Sequence, residues 1–338
     1  MIRKGYSFDD VLIVPAYNDI KSRKNVDLGV RFGLNDLKIP IVSANMDTIT
    51  GPKMAITMHQ LGGIGILHRF CTTDQAVEDF LTVRSFGADA AVSLGTSESL
   101  DRFLKLYSAG AKMFCIDVAH GHSKAVGKMI KTLRDHAGSS IYIIAGNVAT
   151  YAGADYLSSC GADAIKVGIG PGSVCTTRIK TGCGVPQLTA IMDCARVQKT
   201  IIADGGIKTP GDAVKALAAG ADLVMIGGML SGTEETPGDV LKKEDGSKYK
   251  VFRGMASREA QEDFMGQQAD WKTSEGVSIE VSYKGSARDV VSDITGGIRS
   301  GLTYCGADSI EMMHAKVEFM EITSSAYTEG TPHGKNRL

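Results

Sequence analysis

The sequence predicts an α/β protein of the (β/α)8 TIM barrel class, and two observations carry that expectation. Eight short runs of apolar or small residues recur along the chain: IPIVSA (39–44), GIGILH (63–68), DAAVSL (89–94), MFCIDV (113–118), YIIAGN (142–147), AIKVGI (164–169), TIIADG (200–205) and LVMIGG (223–228). Parallel strands buried on both faces read this way. The gaps between them each hold one helix, and four strands are entered through a shared phrase, FGADAAV, AGAKMFC, CGADAIKV and AGADLVM. In each, the glycine closes a helix C-terminus and a short turn feeds the next strand. An eightfold alternation over roughly 200 residues fits a barrel. A doubly wound open sheet is the alternative.

Taken in order, residues 1–38 precede the first strand, and FDDVLIVP (8–15) reads as a short extended segment packed under the barrel. A polar loop with Ser22 and Arg23 follows. After the eighth strand comes the longest interruption, residues 229–287, with a charged hairpin-like piece (KKEDGSKYKVFRGM), a polar helical stretch (SREAQEDFMGQQADW) and KTSEGVSIEVSYKG. A long insertion at the active face of a barrel is expected to act as a lid or wall. ARDVVSDITGGIRSGLTYC reads as a closing helix, and 325–338 as a flexible tail. One barrel domain is therefore expected over 1–338.

Composition narrows the function. With 43% hydrophobic and 22% charged residues and a net charge of −1, the chain has the balance of an ordinary globular protein and no basic run that would attract nucleic acid. No apolar run reaches the roughly 18 residues of a membrane span, and the N-terminus turns acidic where a signal peptide would turn apolar, so a cytoplasmic protein is expected. Seven irregularly spaced cysteines suggest free thiols, with Cys71, Cys115, Cys160, Cys194 and Cys305 expected to be buried.

Barrel chemistry gathers at strand C-termini. The loop after the sixth strand, within Val167–Gln187, sets Cys175 among Gly170, Gly172 and Ser173, with Arg178 and Lys180 nearby. A thiol on such a backbone-rich, basic loop suits a nucleophile. Asp204-Gly205-Gly206 and Gly227-Gly228 end the seventh and eighth strands, where barrels commonly bind phosphate through backbone N–H groups. Ser173 could add a bond to the same phosphate. Thr177 lies within reach of the thiol and needs a carboxylate partner to move protons; Glu275 is the candidate. His120 and His122 share a loop without the companions of a catalytic metal site.

Together FDDVLIVPA, SANMDT, GGIGILHR, GNVAT, KVGIGPGSVCTTR, TGCGVPQ, ADGG, VMIGGM, GTEETPG, YKG and GGIRSGLTYCG resemble the IMP dehydrogenase and GMP reductase family over almost the whole chain. The resemblance implies a barrel that binds a purine nucleotide by its 5′-phosphate, with a nicotinamide dinucleotide alongside. Its cysteine bonds to purine C2 while hydride moves to or from that carbon. Dehydrogenases of the family usually carry a paired regulatory domain after the second strand, whereas here Arg69 runs through one helix to the third. They also carry an Arg-Tyr pair on a flap, which is missing between Met255 and Glu275.

Asn45, the run Lys180-Thr181-Gly182 and the SEG phrase resemble the reductase branch, so GMP reductase is expected. VCTTRIKTGCGVPQ and GTEETPG look more dehydrogenase-like. The resemblance implies that GMP binds through Ser173, Asp204 (to ribose), Gly205, Gly206, Gly227 and Gly228, with its base near Gly254, Met255, Ala256, Lys272, Ser274 and Gly276. Cys175 attacks C2, and Thr177 with Glu275 delivers protons as ammonia leaves. NADPH is implied beside Asp117, Val118, Ala119, Arg69, Ile169 and Gly170, with Ser22 and Arg23 near its adenosine end. The resemblance also implies that those last contacts, with Ser300, Gly301, Leu302 and Thr303, come partly from an adjacent subunit of a homotetramer. A monovalent cation, K+, is implied on carbonyls of Gly170, Gly172 and Cys175 with Arg178 near. Lys272, Ala256 and His120 stand where known reductases carry Arg, Ser and Asn, and Lys cannot repeat a bidentate guanidinium contact. A minimal IMP dehydrogenase and a catalytically silent nucleotide-binding barrel are the alternatives.

Overall fold

The computed structural model describes residues 2–97, 100–266 and 273–332. Eight parallel strands close into a barrel in chain order: Ile41–Ser43, Ile64–Leu67, Ala90–Leu94, Met113–Asp117, Tyr142–Val148, Ala164–Val167, Thr200–Asp204 and Leu223–Ile226, the last pairing with the first. Each lies within or within a residue of its expected run. Most of their side chains are buried, because one face fills the barrel and the other packs under helices.

Those helices are α1 (Pro52–Gln60), α2 (Thr73–Ser85), α3 (Leu100–Ser108), α4 (Lys124–Ala137), α5 (Tyr151–Ser159), α6 (Thr177–Thr181), α7 (Gln187–Cys194) and α8 (Pro210–Ala218). Local sequence starts several of them: the hydroxyls of Thr72, Ser123, Thr150 and Thr209 each accept a backbone N–H of the first turn. The four repeated turns end as expected. Gly87, Gly110, Gly161 and Gly220 all have φ between 68° and 109°, a conformation that a Cβ resists.

The insertion after the eighth strand builds its own antiparallel sheet, Leu241–Lys242, Lys248–Arg253 and Ser278–Ser282, with α9 (Arg258–Met265) between the last two. The hairpin forms where expected, and the polar helix forms over the first part of its expected stretch, Arg258–Met265; residues 267–271 of that stretch lie outside the described residues. The closing helix α10 (Ala287–Tyr304) packs on α8, and α11 (Ile310–Lys316) follows. Glu235 accepts bonds from the Ser286 hydroxyl and the Ala287 N–H, tying the start of α10 to the insertion.

Three expectations change. The N-terminal segment does not lie beneath the barrel: Val11–Ile13 pairs with Phe319–Glu321, while Ser7, Phe8 and Asp9 reach the cleft at the strand C-termini. The underside is covered instead by a hairpin, Val30–Phe32 with Asn35–Leu37, whose Phe32 meets the Tyr142 ring edge-on. Within the tail, Ser324–Glu329 forms a helix, α12, capped by Thr323; residues 333–338 lie outside the described residues. Of the five cysteines expected inside, Cys71 is only partly buried.

Arg134 clamps the barrel at the face away from the cleft. Its guanidinium donates to the carbonyls of Gly161 at 2.8 and 2.9 Å, Gly138 at 2.8 Å and Ile141 at 2.9 Å, and pairs with Asp163. A lysine cannot span these acceptors. Arg134→Lys is expected to lower unfolding free energy by about 2 kcal/mol in denaturant titration. Nucleotide affinity measured well below the transition should stay unchanged, since the clamp lies at the opposite end from the cleft.

Candidate active site

A cleft of about 880 Å3 opens at the C-terminal ends of the strands. Its walls come from the turns after the strands, the Cys175 loop and the insertion. The Cys175 loop has no strand neighbour in the barrel, so other backbone must satisfy it. The N–H of Thr176 donates to the Glu275 carbonyl at 2.8 Å, and that of Val277 to the Val174 carbonyl at 3.0 Å. Cys175 and Gly276 thus face one another as an antiparallel bridge. On its other edge, the same segment pairs with 254–256: Glu275 N–H donates to Ala256 and Gly254 N–H to Val277, each at 3.0 Å. Gly276 sits where an added Cβ would lie 3.0 Å from Ser257 N and 3.3 Å from Gly254 Cα. Only a bare backbone fits between these neighbours.

This pairing brings Cys175, Thr177 and Glu275 into one cleft wall, although Glu275 is distant in sequence. The Cys175 thiol donates to Thr177 Oγ1 at 3.2 Å. Arg178, expected beside the thiol, instead donates to the carbonyls of Ile169 at 3.2 Å and Val185 at 2.6 Å. Burial lowers the pKa of this guanidinium below its ordinary value. Lys180 is exposed. Cys115, by contrast, is fully buried and its thiol is pushed up to about 12, which leaves it inert.

The glycine turns expected to bind phosphate converge on the same space. Gly205 and Gly206 have φ of 90° and 81°, and a Cβ on Gly205 would come within 2.9 Å of Pro171 Cγ, so that turn packs directly on the Cys175 loop. Across the cleft, Ser173 Oγ lies 2.9 Å from where a Gly228 Cβ would be. Lys284 donates to the carbonyls of Gly228 and Met229, both at 3.1 Å, fixing the eighth turn from the insertion.

Of the other expected residues, Asp204, Gly227, Gly254, Met255, Ala256, Arg69, Asp117, Val118, Ala119, Ile169, Gly170 and Gly172 line the cleft. Ser274 and Gly276 stand behind its wall, and Lys272 lies outside the described residues. Ser22, Arg23 and Ser300–Thr303 do not line it. They cluster elsewhere, where the Arg23–Asn25 turn packs on α10 and Arg299 donates to the Val26 carbonyl. Leu302 there is fully buried, and a Cβ on Gly301 would lie 2.4 Å from Val214 Cγ1, so these two residues pack α10 on α8. Among the described residues, no three His, Cys, Asp or Glu side chains group as a metal site, and no helix is long and apolar enough to cross a membrane.

Sequence reasoning missed Lys166. Its side chain is 3% exposed, and its ammonium meets Asp117 Oδ1 at 2.7 Å, Asp204 Oδ2 at 2.8 Å and Asn147 Oδ1. Burial alone would lower its pKa, yet the two carboxylates outweigh that and raise it. For Asp117, burial pushes upward, and Lys166 with the Asn45 hydrogen bond brings the carboxyl below its ordinary value. Without the cation, two carboxylates that now contact one nitrogen atom would face each other across a poorly solvated gap and repel. The available signal was a charged residue inside the apolar run AIKVGI, which a doubly buried strand cannot hold without partners.

Residues 5–333 match the IMP dehydrogenase / GMP reductase domain family. An inosine-5′-monophosphate dehydrogenase of Nitrosopumilus maritimus is 33% identical, the match covering 98% of each chain. A GMP reductase of Leishmania donovani is 32% identical over 99% of this chain and 98% of its own. These alignments span 470 and 482 positions, more than this chain's 338 residues, so part of each relative has no counterpart here. A crystal structure of inosine 5′-monophosphate dehydrogenase from Legionella pneumophila superposes with a TM-score of 0.86 at 55% identity, over 95% of this chain and 99% of that one. A GMP reductase variant from Trypanosoma brucei, solved with guanosine 5′-monophosphate, superposes at 0.91 with 30% identity over 99% and 98%. With the family domain running almost end to end and the thiol, glycine turns and insertion meeting in one cleft, the chain belongs to the IMP dehydrogenase / GMP reductase family.

Proposed function

We propose that the protein is a GMP reductase, converting GMP and NADPH into IMP, ammonia and NADP+. The observation that carries this reading is the backbone pairing of Glu275-Gly276 with Thr176 and Cys175, which sets a carboxylate-bearing segment against the thiol and Thr177. A reductase needs protons delivered to a leaving amine, whereas a dehydrogenase needs an activated water. The stretch from Met255 to Glu275 contains no tyrosine with which an Arg-Tyr pair could be built.

In this reading the phosphate rests on Ser173 and the turns Gly205-Gly206 and Gly227-Gly228, and Asp204 takes the ribose hydroxyls. The base lies by Gly254, Met255 and Ala256, with Lys272, Ser274 and Gly276 completing that side. Cys175 adds to C2 while its proton passes by way of Thr177 and Glu275 to the exocyclic amine, and ammonia departs to leave a thioimidate at C2. The bound dinucleotide supplies hydride to C2. Breaking the C–S bond then returns the sulfur's electron pair to Cys175 and releases IMP.

Arg69, Asp117, Val118, Ala119, Ile169 and Gly170 line a part of the cleft that would take a nicotinamide end, and the Arg69 guanidinium carbon lies 4.5 Å from the centre of the Phe70 ring. Ser22, Arg23, Ser300 and Thr303, outside the cleft, would serve the adenosine end in a neighbouring subunit of a homotetramer, with Gly301 and Leu302 shaping that face. A K+ ion on the carbonyls of Gly170, Gly172 and Cys175 belongs to the same proposal. The Gly172 carbonyl already accepts the Cys175 N–H at 3.1 Å and keeps a second lone pair.

A minimal IMP dehydrogenase is the second reading, favoured by the 55% identity with the Legionella chain. Following reduced-cofactor absorbance separates the two: NADPH loss with GMP is expected, and NADH formation from IMP and NAD would overturn the proposal. Cys175→Ala is expected to lower turnover by at least about 10^4-fold while GMP still binds in calorimetry. Glu275→Gln is expected to slow ammonia release about 10^2-fold, leaving hydride transfer from a preformed intermediate nearly unchanged in rapid mixing.

A further inference from the structure

Lys166 presents its three N–H donors to three acceptors on three different strands. Asp117 ends the fourth strand, Asn147 lies in the fifth and Asp204 ends the seventh, while Lys166 itself stands in the sixth. Asn147 braces the group by donating to Asp204 Oδ2 at 2.9 Å and to the Gly168 carbonyl at 2.8 Å. Close backbone packing gives the lysine one path. A Cβ on Gly146 would lie 2.6 Å from Lys166 Cβ and 2.7 Å from its carbonyl oxygen.

Both carboxylates line the cleft, and Asp204 Oδ1 takes no hydrogen bond among the described residues. Two anions held this close in a half-buried wall would ordinarily share a proton. One cation between them lets both stay ionised, and it locks the orientation of each through a common atom. The other groups acting on this cluster are Cys115, buried on the fourth strand, Asn45, bonded to Asp117, and the charge of Arg69.

We propose that Lys166 is a positioning residue that keeps Asp117 and Asp204 ionised and aimed into the cleft, so that the nucleotide and dinucleotide sides are ordered by one ammonium. The assignment of ligands to the two sides rests on the purine-nucleotide reading above; the role of the lysine does not.

Three variants test it: Lys166→Met, Lys166→Arg, and Lys166→Met combined with Asp117→Asn. Without the cation, one carboxyl of the pair has its folded pKa raised above its unfolded value. Stability of Lys166→Met should then fall as pH rises from about 5 to 8, unlike that of the native protein. The double variant keeps one carboxylate, so its stability should be nearly flat over that range. For Lys166→Met, the Kd for GMP in calorimetry should rise by at least about tenfold and recover to within about threefold in Lys166→Arg. Alkylation of Cys175 by iodoacetamide should stay within about twofold of native, since the thiol loop is held by other contacts.

A flat stability profile for Lys166→Met would overturn the proposal, as would an equal slope in the double variant. If Lys166→Met cannot be folded, recovery of folding in the double variant supports the proposal and continued failure overturns it. If the native protein binds neither GMP nor IMP, the purine reading falls, while the two stability profiles still decide the role of Lys166.

Discussion

The site depends on a short piece of antiparallel backbone pairing outside the barrel. The Cys175 loop leaves the sixth strand with its N–H and C=O groups unpaired by any neighbour in the sheet, and residues 274–277 supply the partners. Because the same residues bond back to 254–256, the insertion reaches the thiol as a small sheet anchored at Lys248–Arg253. Displacing Gly276 would therefore disturb the thiol loop, Glu275 and residues 254–256 together. Arg253 extends this anchoring, pairing with Asp47 after the first strand at 2.6 Å and with Asp263 in α9 at 2.6 Å.

Charge is arranged differently on the two sides of the cleft. Around Cys175 the cation nearest in sequence, Arg178, is spent on carbonyls of its own loop, so its contact energy shapes the loop. A Cβ on Gly170 or Gly184 would fall 2.5 or 2.7 Å from Arg178 Cγ, which shows how tightly the loop wraps that side chain. At the ends of the fourth and seventh strands a single ammonium serves two carboxylates. The first arrangement leaves the thiol donating to Thr177; the second sets one ammonium between two carboxyl groups.

Legibility followed the range of the interactions. The eight strands were readable because burial on both faces leaves continuous apolar runs, and the helix starts because capping is a matter of three residues. The glycine turns and the cysteine loop were readable for the same local reason. Lys166 was passed over because a lysine reads as a surface residue until its partners, from 38 residues later in one case, are known. The N-terminal segment was misplaced because its partner, Phe319–Glu321, lies at the other end of the chain.

By itself, then, the sequence determined the barrel, the order of its elements and the positions of the thiol loop and the glycine turns, since each rests on period, cap or backbone freedom within a few residues. Only the tertiary structure decided which residues share a wall. It set Glu275 beside Cys175 through hydrogen bonds across 99 positions of chain, and turned Arg178 away from the thiol. It also separated Ser22, Arg23 and Ser300–Thr303 from the cleft that Arg69 and Asp117 line. Such outcomes depend on where closed strands point their ends, and that geometry exists only once the barrel has formed.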